Sequence, residues 1–301
     1  MSKRNHKTRP HVRFLWLLFV GLGSSWLTAN AAGTNQTQHT IVVRVESPDR
    51  QISPHDLKIS ADGRSARIAS VIGGYEAHIS ISLVIDAGPD QPKVLGREKD
   101  LAASLIVGFS DSTTDFIVTR AGYRPTHVAA TSESSVAINS VLALNAETGK
   151  KSDIPIYDAM ALGIQELSGR PGIRVLVVIA EGNDHGSSVN YKQLRASAET
   201  HHVSCLTAIV ADHGIRGPKS ILRYGRDLEE LAGDTAGIFI ENDRKVDRMA
   251  SRVERMIKSL RVVTFDIDGL TSGRHEISVV SHSAGRLHAQ HAIVLSHIND
   301  Q

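Results

Sequence analysis

The chain has 301 residues, 41% hydrophobic and 22% charged, the composition of an ordinary soluble globular protein with enough length for a sizeable core. Its 34 basic and 32 acidic residues almost balance, which excludes the broad basic field that holds a nucleic-acid backbone. A single cysteine, Cys205, excludes an intramolecular disulfide; in the apolar run SCLTAIV it reads as a small core residue rather than a reactive thiol.

Lys3, Arg4, Lys7, Arg9 and Arg13 form a basic amino end without an acid, residues 14–20 are apolar, and Ala29-Asn30-Ala31 has the small-residue spacing of a signal-peptidase site. Residues 1–32 therefore read as a secretory signal peptide. The apolar stretch is short and diluted by Gly21, Gly23, Ser24 and Ser25, which argues against a retained anchor. An exported protein follows, periplasmic or extracellular, with no transmembrane helix after cleavage. Five basic residues and no acid lie in 1–32, so the remainder holds 29 basic against 32 acidic residues, formally −3. Both tryptophans, Trp16 and Trp26, leave with the signal.

Residues 33–40 are polar and read as a linker, and 41–46 as a strand. Residues 57–71 place Asp62-Gly63 between two alternating runs, a strong hairpin signal. From Ile79 the pattern becomes strand, helix, strand, helix. Residues 79–86 are an apolar strand ending at Asp86. Pro92 opens a helix whose Leu101, Leu105, Ile106 and Phe109 share a face. Residues 115–120 form a strand and 126–130 a short edge strand; 134–144 and 156–167 are helices. The nearly all-apolar 174–180 suits a central parallel strand covered on both faces. A helix at 191–201, a strand at 204–210, a helix ending at 228–232, a strand at 237–240 and a helix at 244–260 complete the alternation. Strands return at 262–267, 275–281 and 287–295. The expected fold is α/β, a doubly wound, mostly parallel sheet over 77–260. The flanks, 33–76 and 261–301, are expected to pair into a small discontinuous β domain.

An acid delivered by a buried strand into a Gly/Pro turn stands where open α/β sheets bind their ligands. Here the stretch is ISLVIDAGPD, with Asp86 and Asp90. Together with DIPIYDAMALGIQEL, RVLVVIAEGNDHGS and LEELAGDTAGIFIE, in that order, it resembles a von Willebrand factor A domain. The leader SPHDLKISADGRSARIASV is similar to that of related secreted proteins described from acidobacteria. The resemblance covers roughly residues 41–260. It implies a Rossmann-like fold, a protein-interaction or adhesion role, and a metal-ion-dependent adhesion site built from Asp-x-Ser-x-Ser, a distant Thr and a further Asp. Carried over residue by residue, the first Asp is Asp86, the serines fall on Gly88 and Asp90, the Thr on Ile154, and the last Asp on Glu181.

The resemblance thus implies a degenerate site. Gly88 and Ile154 offer no side-chain oxygen. Asp86, Asp90 and Glu181, if convergent, form a three-carboxylate set able to hold Mg²⁺ or Ca²⁺ while cancelling the charge that would attract a partner's acid. Gly88, Asp153, Gly182, Asn183 and Asp184 are expected on the binding rim. The plainer readings are a solvated Asp86, an N-cap role for Asp90, a polar turn around Gly182, and Asp158 at its helix start. The several histidines read as surface or interface residues. The leading expectation is an exported, non-catalytic interaction module with an unidentified protein partner and no nucleic-acid partner. The alternatives are a Mg²⁺-dependent phosphohydrolase or phosphotransferase, for which Asp-x-Asp spacing and a phosphate loop are missing, and a purely structural envelope component.

Overall fold

A computed structural model describes residues 38–46, 48–73, 76–88, 92–110, 113–148, 154–180, 184–210, 219–241, 245–282 and 287–295. The signal-peptide expectation, and site candidates Asp90, Asp153, Glu181, Gly182 and Asn183, lie outside them.

The elements run in chain order as β1 (Gln38–Arg44), β2 (Leu57–Ala61), β3 (Arg64–Ser65), β4 (Arg67–Gly73), β5 (Ile79–Asp86), α1 (Pro92–Gly108), β6 (Thr114–Ala121), β7 (Thr126–Thr131), α2 (Ser134–Leu142) and α3 (Ile156–Leu167). They continue as β8 (Ile173–Ala180), α4 (Tyr191–Thr200), β9 (Val203–Ile209), α5 (Lys219–Asp234), β10 (Ile238–Ile240), α6 (Val246–Lys258), β11 (Leu260–Asp266), β12 (Gly273–Ser281), β13 (His288–Ala289) and β14 (Ala292–Leu295).

The central sheet has the order β10-β9-β8-β5-β6-β7, all parallel except the antiparallel edge strand β7. From β5 the chain steps outward to β6 and β7, then returns across β5 to β8, β9 and β10. This is the doubly wound order with its switch point at β5. It is the mostly parallel α/β sheet expected from the alternation of strands and helices. Ile79, Ile81, Leu83 and Ile85 of β5 pack on the layer that includes α1, α2 and α6. The alternate residues Ser80, Ser82 and Val84 face the other layer, which includes α3, α4 and α5. The small serines let α3 come close: a Cβ on Gly163 would stand 2.7 Å from Ser82 Oγ and from Leu176 Cδ1.

The flanking strands meet in two four-stranded sheets, β13-β1-β11-β4 and β14-β12-β2-β3. Ile41, Val43, Ile59, Val263, Phe265 and Ile293 fill the core they share. Several boundaries differ from expectation because pairing partners, not local pattern, set them. β1 starts at Gln38, inside the expected linker, because Gln38 pairs with Asp266. The Asp62-Gly63 turn closes only the short β2–β3 pair, Ser60 with Ser65 and Ala61 with Arg64. After Ala66 the chain changes sheets, and β4 joins β11 instead. The single strand expected over 287–295 is two, β13 on β1 and β14 on β12.

Candidate functional site

Parallel strands end together at one edge of the central sheet, so β5 presents Asp86 there, with β6 and β8 on either side. The Asp86 carboxylate turns back on its own loop: Oδ1 accepts a hydrogen bond from Gly88 N at 2.9 Å. Such side-chain capture of a nearby N–H is the habit of aspartate in turns. The loop is also held from the β6 side. Ala87 N donates to Ala121 O at 2.8 Å, and Glu147 N donates to Ala87 O at 2.8 Å. The Glu147 carboxylate pairs with Arg120 at the end of β6.

Gly88 meets Ile154 directly. A Cβ at position 88 would lie 3.1 Å from Ile154 Cγ1 and 3.2 Å from Asp86 Oδ1. Ile154 is buried, 5% exposed, within the core beneath α3. The chain segments before α3 and after β5, separated by more than sixty residues, are therefore in contact at the positions that the family pattern assigns to metal-site side chains. Here that contact is apolar.

The loop after β8 is fastened to the start of α3. Asp184 Oδ1 accepts from Tyr157 N at 3.0 Å and from Ser187 Oγ at 2.5 Å. It therefore supplies the cap that Pro155, the residue preceding α3, cannot. Asp158 works in the reverse direction. Its carboxylate accepts from Val189 N at 2.8 Å and from Ser188 N and Oγ at 3.1 Å each. His185 N donates to Ile154 O at 3.0 Å. So Asp158 does sit at its helix start, as the plainer reading expects, but it pins a distant loop rather than capping its own helix.

Of the candidates in the described residues, Asp86 and Gly88 come together with Ile154, and Asp184 stands on the same edge as a cap. A hard divalent ion takes six or more oxygen ligands. Gly88 and Ile154 bring no side-chain oxygen beside Asp86, and among the described residues no three His, Cys, Asp or Glu side chains are grouped to hold a metal. Sequence reasoning missed Asp184 as the cap of α3, Ser187 as its companion and Ser188 as a partner of Asp158. A 27-residue separation between Asp184 and Tyr157 leaves no local signature to find.

No protein-family model matches the chain, and no curated protein matches it. Among solved structures it is similar to an aerotolerance-related membrane protein from Bacteroides fragilis NCTC 9343, at 17% identity over 60% of this chain and 97% of that one, with a TM-score of 0.47. It is similar to BatB from Bacteroides thetaiotaomicron, at 17% identity over 60% and 98%, with a TM-score of 0.44. It is also similar to a von Willebrand factor type A protein from Catenulispora acidiphila, at 10% identity over 89% and 76%, with a TM-score of 0.48.

Proposed function

We propose that the chain is an exported, non-catalytic von Willebrand A-type module that binds a protein partner through the carboxyl edge of its central sheet, with a degenerate metal site at the centre of that edge. The observation that carries this is the contact of Gly88 with Ile154 beside Asp86. Two positions of the family's ligand pattern meet there and present hydrocarbon and backbone where hydroxyls are required. Neither side chain offers an oxygen to a hard cation, so recognition passes to the rim rather than to a shared ion. In this reading Asp86, with Asp90 and Glu181, is what remains of the metal site. Gly88, Asp153, Gly182, Asn183 and Asp184 form the rim. The hydrogen bonds that tie residues 184–189 to the start of α3 support it, because a rim held in one geometry loses less entropy on binding.

The test is native co-purification on immobilised full chain, with Mg²⁺ or with EDTA, beside Asp86→Ala and Gly88→Arg. The expected result is a partner retained in EDTA, little changed by Asp86→Ala and lost with Gly88→Arg. Loss of the partner in EDTA would mean a working adhesion site. Release of phosphate from a generic ester, abolished by Asp86→Ala, would replace the interaction role with the hydrolase.

A further inference from the structure

The opposite, amino edge of the central sheet carries a cationic corner that the proposed role does not use. Arg174 is the second residue of β8, and its register sets it beside Ser80 of β5 and Val203 of β9. His202 immediately precedes Val203, in left-handed backbone at φ +50°, and His201 follows the last residue of α4. Arg174 thus shares a corner with two imidazoles. Arg174 Nε is shut away from water without a hydrogen-bond partner, and so is His202 Nδ1.

The acids around this corner are committed elsewhere. Asp115 of β6 lies beside Ser80 on the same face, one strand beyond. Its carboxylate is held by His78 Nε2 at 3.1 Å and Arg170 Nη1 at 3.4 Å. Glu199 of α4 is bound by Arg195 at 3.1 Å and Arg274 at 2.9 Å. From β1 the group facing the corner is His39, another imidazole, and the Gln290 amide bonds the His202 ring. Burial lowers the Arg174 pKa, with no carboxylate among the described residues acting against it. Burial, then Arg174, push His202 down to about 4 and His201 in the same direction.

A half-buried guanidinium without a counter-charge is unfavourable, and its planar fork matches a tetrahedral oxyanion. We propose that Arg174, with His201 and His202, binds a small inorganic oxyanion of the sulfate or phosphate class at the amino edge of the sheet. The anion accepts from the guanidinium and from an imidazole N–H. It also favours protonation of the histidines, so it binds more tightly as pH falls.

Sulfate is the better probe, because its own charge is constant over the useful range. The experiment is calorimetric titration of sodium sulfate into the full chain at constant ionic strength, at pH 6 and pH 8, with sodium acetate as the comparison. The expected result is saturable millimolar binding, tighter at pH 6, weakened at least tenfold by Arg174→Gln and untouched by Arg226→Gln on exposed α5 surface. Equal affinity in Arg174→Gln overturns the proposal, as does binding no better than acetate or none at all. Should Arg174→Gln fail to fold, the ring resonances of the wild-type chain decide the matter. Sulfate must move those of His201 and His202 and leave that of exposed His127 in place; the reverse pattern overturns the site.

Discussion

His275 shows how one side chain can carry a pH response. Its ring is buried, and both nitrogens face acceptors: Nδ1 lies 2.8 Å from Asp62 Oδ2 and Nε2 lies 2.7 Å from Thr271 O. Two donors are needed, so the ring is held as imidazolium. The bond to Asp62 raises the His275 pKa, and the same bond lowers that of Asp62. The signs differ. The His275 contribution is fully present below its unfolded pKa of about 6.5 and is lost as pH rises through the higher folded value. The Asp62 contribution is present above an unfolded pKa of about 3.9 and is lost as pH falls through the lower folded value. Melting temperature against pH should therefore show His275→Gln at its greatest disadvantage between about pH 4 and 6.5, with the gap narrowing toward pH 8. A gap constant from pH 5 to 8 would remove the imidazolium from the account.

Gly88 and Ile154 allow a second test at the same scale. Gly88→Ser alone crowds Ile154 Cγ1 and should cost about 1 kcal/mol, whereas adding Ile154→Thr relieves the crowding. The double variant should recover stability and acquire a Mg²⁺-dependent rise in melting temperature. Additive losses in the two variants would mean that these positions do not share a contact.

Among the elements, α3 depends on a residue outside itself. Asp184 caps it from the loop after β8, so Asp184→Ala should destabilise the protein by about 1 kcal/mol, read as a lower midpoint in urea. The loss of Ser187's partner should loosen the same loop. An unchanged midpoint would show that water replaces the cap without cost. Helices such as α1 and α3 were legible from their apolar spacing, because each buries a stripe against the sheet and the stripe repeats every turn. The cap was not legible, since Asp184 and Tyr157 are brought together only when β8 and β5 lie side by side. The same holds for β13 and β14. Residues 287–295 read as one strand, but Gln290 and His291 break it: Gln290 N donates to Val42 O and His291 N to Asp234 O.

Across the whole molecule, a buried acid ties the central sheet to the flanking strands. Glu199 of α4 is 1% exposed and accepts from Arg274 of β12 through Nε at 2.9 Å and Nη2 at 3.0 Å. Arg195 adds a hydrogen bond to Glu199 and an ion pair with Asp234, which also holds His291. Burial alone would raise the Glu199 pKa, but the bonds from Arg274 and Arg195 outweigh it and hold the carboxyl below its usual range. Removing one partner strands a buried charge, so Arg274→Ala should cost about 2 kcal/mol in urea unfolding, and Arg274→Lys only part of that. Equal losses for Ala and Lys would assign the effect to packing instead.

What the amino-acid order determined by itself was the alternation of β and α over 79–258, the strand that ends on Asp86, and the apolar faces of the helices. Those features follow from period and composition, which act within a few residues. Only the tertiary structure decided that Gly88 rests on Ile154, that Asp184 caps α3, and that β4 leaves its hairpin for β11. Each is a contact between segments far apart in sequence. Its free energy exists only once parallel strands are aligned and their ends share an edge, so no local pattern could have announced it.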